Sequence, residues 1–188
     1  MPEKKPAIKA PEFRIIRGSD CNDAMMQSAY KHFSKNRTVP WSYTSFKGSL
    51  SNTTSALMVG ANHDYHTVLG MIIINPIILS SSECFDAEAD AKADSNLDSL
   101  LIDSAELEDI WVVSSYRRQG LAKTLLEWGI HELCALQCPV LHLEVNADNH
   151  AAIKLYERFG FVNVGRRKNY YDDGKGNKSD AFLYSLNL

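Results

Sequence analysis

At 188 residues with 45% hydrophobic content, the chain is long enough to bury one substantial core and short for two ordinary domains. The formal charge of −3, without a long basic stripe interleaved with aromatics, argues against direct nucleic-acid binding, and no run approaches the roughly 18 consecutive apolar residues of a membrane span. The opening M-P-E-K-K-P-A-I-K-A-P-E lacks the apolar centre of a secretory signal, so a cytoplasmic protein with a flexible tail over residues 1–12 is expected.

F-R-I-I-R, residues 13–17, reads as the first strand. G-S-D-C-N-D then offers capping residues for a helix whose Met25, Met26, Ala29, Tyr30 and Phe33 recur at helical spacing. In P-W-S-Y-T-S-F-K-G-S-L, Ser42 stands where an N-cap would open a short second helix. Residues 55–62 and 67–78 read as consecutive strands turned by N-H-D-Y, and V-L-G-M-I-I-I-N-P-I-I in the second is apolar enough for the middle of a sheet.

An acidic stretch follows. Between residues 80 and 109 lie ten of the 23 acids and one of the 20 bases, so this segment carries −9 and the rest, with 13 acids and 19 bases, carries +6. S-S-S-E-C-F-D-A-E-A-D-A-K-A-D-S-N is poor in core-forming residues, and a solvated, partly disordered insertion over about residues 80–107 is expected; a guide for a basic substrate is the other reading. L-E-D-I-W-V-V returns the chain to a buried strand. Beyond it Leu121, Leu125, Leu126, Ile130, Leu133 and Cys134 trace one helical face, and P-V-L-H-L-E-V-N alternates as a strand. D-N-H-A-A-I-K-L-Y-E-R-F is a helix stopped by Gly160, and residues 161–167 and 180–186 are closing strands joined by Y-D-D-G-K-G-N-K. Antiparallel strands first and a strand-helix-strand-helix unit later predict a single α/β domain with a mixed, mostly antiparallel sheet flanked by helices, not a doubly wound nucleotide fold.

Cys21, Cys84, Cys134 and Cys138 show no C-x-x-C spacing, and a chain of this size needs no disulfide staples. Cys134, Cys138 and His131 lack the complementary ligand pair of a metal site, so no metal is expected.

The bend R-R-Q-G-L-A, residues 117–122, lies between a buried strand and a helix. A helix start exposes unpaired N–H groups and the positive end of its dipole, which together favour an anion. Gly120 leaves room for one, while Arg117, Arg118 and Lys123 add charge around it. Taken alone, such a bend is more often only a turn in a solvated face.

The segment I-W-V-V-S-S-Y-R-R-Q-G-L-A-K-T-L-L resembles the acyl-CoA signature of the GNAT superfamily of N-acetyltransferases, in which Q/R-x-x-G-x-G/A opens a long helix whose amides hold a pyrophosphate. Arg117, Gly120 and Ala122 stand at its three defined positions. L-E-V-N-A-D-N-H-A-A-I-K-L-Y-E-R-F-G-F, with R-R-K-N-Y-Y after it and P-W-S before the short helix, resembles the RimI-type ribosomal-protein alanine N-acetyltransferases within that superfamily. The likeness runs loosely over residues 13–186 and closely over residues 106–171. Ser114 replaces the family's common proline, Ala122 its more usual glycine, and the acidic insertion is an addition to the family pattern.

The resemblance implies a GNAT domain over residues 13–188, acetyl-CoA as cosubstrate, no metal, and as acceptor a protein N-terminus, that of a ribosomal protein beginning with alanine. It implies that Ile110, Trp111 and Val112 flank the thioester and pantetheine arm through their backbone groups. Arg117, Arg118, Gln119, Gly120, Leu121, Ala122 and Lys123 would surround the pyrophosphate, and Asn149 would hydrogen-bond the cofactor. Glu144 would be the general base and Tyr156, in the family's spacing, the general acid. A lysine side chain or a small amine as acceptor, or a CoA-binding module without turnover, are the alternatives, and neither a nucleic acid nor a membrane is implied as partner.

Acetyl transfer from a thioester to an amine needs a neutral nucleophile, a site for the developing oxyanion, and a proton for the departing thiolate. A carboxylate, backbone N–H groups and a phenol supply these. Alternation puts Glu144 on one strand face with His142 and Asn146, opposite Leu141, Leu143 and Val145. Glu144 could equally anchor substrate, His142 is a second candidate base, and Tyr156 also falls in the packing stripe Ala152, Leu155, Tyr156, Phe159. An α-amine with a pKa of about 7.7–8.0 is roughly a third neutral near pH 7.5, whereas a lysine at about 10.4 is neutral on the order of once in a thousand, so an N-terminus asks less of the base.

Overall fold

Local sequence builds seven strands and four helices in the computed structural model, which describes residues 12–35, 41–60, 67–78, 102–172 and 174–188. The expected tail up to residue 11, the N-H-D-Y turn and the acidic stretch over residues 79–101, with Cys84, lie outside the described residues. The strands are β1 (Phe13–Arg17), β2 (Ala56–Gly60), β3 (Val68–Ile78), β4 (Ile102–Val112), β5 (Val140–Asn146), β6 (Val162–Asp172) and β7 (Lys178–Asn187). The helices are α1 (Asp23–Lys35), α2 (Tyr43–Leu50), α3 (Leu121–Ala135) and α4 (His150–Arg158). They form one sheet in the order β1-β2-β3-β4-β5-β7-β6, in which β4 and β5 are the parallel pair and the other neighbours are antiparallel. The expected mixed, mostly antiparallel α/β sheet is what is seen.

β3 is buried on both faces, as its apolar run requires, and divides the core. Ile72 and Ile74 join Leu121, Leu125, Leu126, Leu133, Leu141, Leu143 and Tyr156 on the side of α3 and α4. Met71 and Ile73 join Met26, Phe33, Phe46 and Leu50 on the side of α1 and α2. Side-chain caps open three helices: Asn22 Oδ1 accepts from Met25 N at 3.0 Å, Ser42 Oγ from Ser45 N at 3.1 Å, and Asn149 Oδ1 from Ala152 N at 3.3 Å.

Two expectations are corrected. The strand expected from Leu107 already begins at Ile102, because Ser104, Ala105 and Leu107 are buried and pair with β3; Asp103 and Glu106 are acids of a half-buried strand, not of a loop. The buried face of α3 runs through Gly129 rather than Cys134, which is exposed. Gly129 was overlooked because it has no side chain to register as hydrophobic. That bareness lets Ile72 and Ile74 close on the helix, where an added Cβ would sit 2.6 Å from Ile74 Cδ1 and 3.1 Å from Ile72 Cδ1.

Gly70 faces Val112 in the β3–β4 register, and a Cβ there would lie 2.6 Å from the Trp111 carbonyl oxygen, 3.2 Å from Leu125 Cδ1 and 3.3 Å from Val112 Cγ2. The nearest obstacle is backbone and cannot rotate away. Gly70→Ala is therefore expected to destabilise the chain by about 1–3 kcal/mol, the usual cost of overpacking, read as a lower urea midpoint at unchanged slope.

Candidate active site

β4 and β5 are neighbours only at their beginnings. Their register covers Ala105↔Leu141, Glu106↔His142 and Leu107↔Leu143 and goes no further, although β4 continues to Val112 and β5 to Asn146. The cause lies in β4. Ile74 pairs with Leu107 and Ile73 with Asp109, which leaves Glu108 as an extra residue, and a bulge of this kind bends and twists its strand. Beyond it β4 keeps β3 on one edge and β5 keeps β7 on the other, so the strands part. Backbone donors and acceptors on the facing edges are left without a strand partner, and such groups are matched by an extended ligand carrying amides of its own.

At the end of β4 the chain turns into α3 through a bend with two left-handed residues, Arg118 at φ 64° and Gly120 at φ 87°. Unlike the other three helices, α3 has no side-chain cap. Its N-cap is Gly120, beside which an added Cβ would meet nothing within 4 Å. The first N–H groups of a long helix thus open onto a cleft of about 1030 Å³. Ile110, Trp111, Val112, Arg117, Arg118, Gly120, Leu121, Ala122, Lys123 and Asn149 all line it, so ten of the eleven residues expected at a cofactor meet at one cleft. Gln119 does not line the cleft; its amide nitrogen donates to the Ser115 carbonyl at 3.4 Å and braces the bend. Arg117 also braces, donating from Nε to the Val112 carbonyl at 3.0 Å, and Lys123 pairs with Glu127 at 2.7 Å. Asn149 has its oxygen engaged in capping α4, which leaves its NH₂ group for a ligand.

The sequence reading missed the opposite wall. His150, Ala151, Lys154, Leu155 and Arg158 of α4 line the cleft, and Lys154 and Arg158 add positive charge facing that of the bend. The signal was present, since these residues recur at helical spacing along one face of α4.

Neither Glu144 nor Tyr156 lines this cleft; both belong to the gap. Leu141, Leu143 and Val145 of β5 are in the core on the α3/α4 side, which turns His142, Glu144 and Asn146 to the other face, as alternation predicts. The Glu144 carboxylate meets Arg167 of β6, with Nη2 and Oε1 2.9 Å apart. Tyr156 comes from α4 on the core side, 5% exposed, with its ring 5.6 Å from that of Phe161. Burial, then the nearby Asp109 carboxylate and then Tyr171, push its phenol well above the ordinary range, so it keeps its proton at any working pH. The packing role and the acid role expected of Tyr156 are thus compatible. The two candidate groups stand on opposite faces of the sheet, next to strands that have moved apart. Cys21, Cys134 and Cys138 are free thiols remote from this arrangement, and no three metal-ligating side chains cluster among the described residues.

A family model described as the acetyltransferase (GNAT) family matches residues 22–161, most of the chain. The chain belongs to the acetyltransferase (GNAT) family. Its fold neighbours agree. The ribosomal-protein-S18-alanine N-acetyltransferase of Escherichia coli superposes with a TM-score of 0.67 and 26% identity, covering 94% of both chains. A chain of the NatC complex bound to Gag peptide and CoA superposes with a TM-score of 0.71 and 23% identity over 94% of this chain and 99% of that one, a likeness of fold alone. By sequence, the [ribosomal protein bS18]-alanine N-acetyltransferase of Escherichia coli strain K12 is 44% identical over 87 residues. That match spans 46% of this chain and 58% of the relative, a little over half its length. The N-alpha-acetyltransferase 30 of Saccharomyces cerevisiae is 39% identical over 77 residues, 41% of this chain and 42% of that one.

For this GNAT chain the uncapped start of α3 can be tested directly. Gly120→Glu puts a carboxylate into the mouth of the anion site and is expected to weaken acetyl-CoA binding by at least about 100-fold, whereas Gly120→Ala, with open space around its methyl, carries only the roughly 1–2 kcal/mol of a left-handed non-glycine residue. Titration calorimetry with acetyl-CoA separates the two, and equal affinities for native and Gly120→Glu protein would remove the bend from the binding site.

Proposed function

We propose that the chain transfers the acetyl group of acetyl-CoA to the α-amine of a protein N-terminus, the alanine start of a small-subunit ribosomal protein being the acceptor to which its relatives direct attention. The observation that carries this reading is the parting of β4 from β5 between a carboxylate on one face and a protonated phenol on the other.

Bound acetyl-CoA would supply a thioester, an acyl group activated toward attack by an amine. The first N–H groups of α3, with Arg118 and Lys123 beside them and Lys154 and Arg158 opposite, hold phosphate oxygens. Asn149 donates from its NH₂ group, and Ile110, Trp111 and Val112 offer backbone groups along the gap. Glu144 accepts a proton from the attacking amine, directly or through water, from the face opposite the cleft. Tyr156 donates its proton to the leaving sulfur from the core side and shields it from solvent. No helix among the described residues is long and apolar enough to cross a membrane.

An α-amine fits this arrangement better than a lysine. At a pKa of about 7.7–8.0 its deprotonation near pH 7.5 costs under about 1 kcal/mol, against about 4 kcal/mol for a side-chain amine at about 10.4. Glu144 is only modestly exposed and already has a cationic partner.

Two measurements test the proposal. Mass spectrometry of free-amine peptides incubated with the protein and acetyl-CoA should show acetylation of alanine α-amines in preference to other N-termini and to lysine-only peptides. Acetylation confined to lysines or small amines, or acetyl-CoA binding with no acceptor-dependent CoA release, would overturn it. Tyr156→Phe should lower kcat by about 100-fold or more while leaving acetyl-CoA affinity unchanged, and native turnover in that variant would remove Tyr156 from the mechanism.

A further inference from the structure

Consecutive arginines on β6 point to opposite faces of the sheet, and each meets a carboxylate. Arg166 pairs with Asp180 of the adjacent strand β7. Arg167 instead reaches across β7 to β5 and pairs with Glu144 at 2.9 Å. Arg167 is itself paired with the small, fully buried Ala181 and Glu144 with Leu183, so the contact runs diagonally over β7. A register shift between Arg167 and Tyr171 turns the strand there, and the Arg167 guanidinium rests over the Tyr170 ring, 5.3 Å from its centroid. Arg167 is therefore held from two sides, and the side chain it holds is the candidate base.

An isolated carboxylate at the acceptor side of the gap would attract any ammonium ion. Paired with Arg167, it presents no net charge, and one of its oxygens, Oε1, is engaged. A cationic acceptor must then displace a guanidinium that is itself anchored, whereas a neutral amine needs only the remaining oxygen as proton acceptor. Resting on the reading of Glu144 as general base, we infer that Arg167 is a positioning and selectivity residue, which neutralises the acceptor site so that it takes amines in their unprotonated form and disfavours the lysine side chain, which is almost wholly protonated near neutral pH. Among the described residues, Glu106 of β4 stands by register next to His142 of β5 on the same face as Glu144, β7 adds Ala181, Leu183 and Ser185 there, the His32 ring of α1 lies 5.7 Å from that of Trp111 on β4, and Asp109 and Tyr156 lie at the parted strands.

The test uses the full chain with two peptides, one with a free α-amine and no lysine, the other Nα-blocked with a single lysine. Arg167→Gln should raise kcat/KM for the lysine peptide relative to the α-amine peptide by about fivefold, the size expected of one half-exposed charge pair, while Arg167→Lys, which keeps the charge, stays near the native ratio. In the native protein KM for the α-amine peptide should fall as pH rises through the amine's own pKa near 8, and in Arg167→Gln it should become flatter, because the ammonium form now binds as well. The same slope in His142→Gln assigns the titration to the acceptor rather than to that imidazole. Acetyl-CoA affinity, governed by the cleft, which neither Arg167 nor Glu144 lines, reports that each variant is folded. Equal losses on both peptides with the ratio unchanged would reduce Arg167 to a structural role and overturn the inference, as would a KM that is independent of pH in the native protein, a readout needing no variant. Failure of the native protein to acetylate either peptide would instead overturn the acceptor reading beneath it, and this inference with it.

Discussion

The parting of β4 from β5 is the constraint on which the rest of this molecule depends. A sheet interior normally satisfies each backbone N–H and C=O through its neighbour, and here one parallel pair gives that up after three residue pairs. The loss is tolerable because each strand retains its other neighbour along its full run, β3 for β4 and β7 for β5. The bulge at Glu108 converts a one-residue excess into a change of direction, so a local irregularity determines where a ligand can enter a seven-stranded sheet. Gly70 sits against the bent segment on the side away from the gap, and its missing side chain lets β3 follow β4 through the bend.

An opening between strands also gives access to two chemically different faces. The face toward α3 and α4 is apolar and closed around Tyr156, which raises the cost of ionising a phenol and keeps a proton donor charged with its proton. The other face carries Glu144, His142 and Arg167, polar groups that can exchange protons with solvent or substrate. The buried phenol and the carboxylate are thus kept on separate faces by the sheet itself. Charge follows the same division: the cleft at α3 and α4 gathers cations suited to an anionic ligand, and the Glu144 face is balanced by an internal ion pair.

How far this was legible in the sequence depended on the range of the interaction. Period-two alternation put Glu144 opposite Leu143 and Val145, period 3.6 located α1, α3 and α4, and Ser42 marked a helix start, because each of these is decided within a few residues. The bend at Gly120 was readable for the same reason. The bulge was not, since an extra residue is defined only against the partner strand, and nothing within L-E-D-I-W-V-V marks Glu108 as the residue in excess. Gly129 escaped because a buried contact made by the absence of a side chain leaves no hydrophobic mark. The Arg167–Glu144 pair spans two strands that are neighbours of a third, and nothing in the local pattern of R-R-K-N-Y-Y distinguishes Arg167, bound to Glu144, from Arg166, bound to Asp180.

The start of α3 shows what such a site costs in stability. Asn22, Ser42 and Asn149 each satisfy a free helix N–H, a contribution of about 1 kcal/mol apiece, and α3, the longest helix described, forgoes it. A serine or aspartate at position 120 would be strained at φ 87° and would also place its own oxygen where a phosphate oxygen belongs. The helix is anchored elsewhere, by Leu121, Leu125, Leu126 and Leu133 in the core and by the Arg17 guanidinium, which reaches both oxygens of Glu132 at 2.8–3.1 Å. Burial of those four leucines outweighs one missing cap several-fold at roughly 1.5–3 kcal/mol each, so the chain can leave the end of its longest helix unsatisfied without losing the fold.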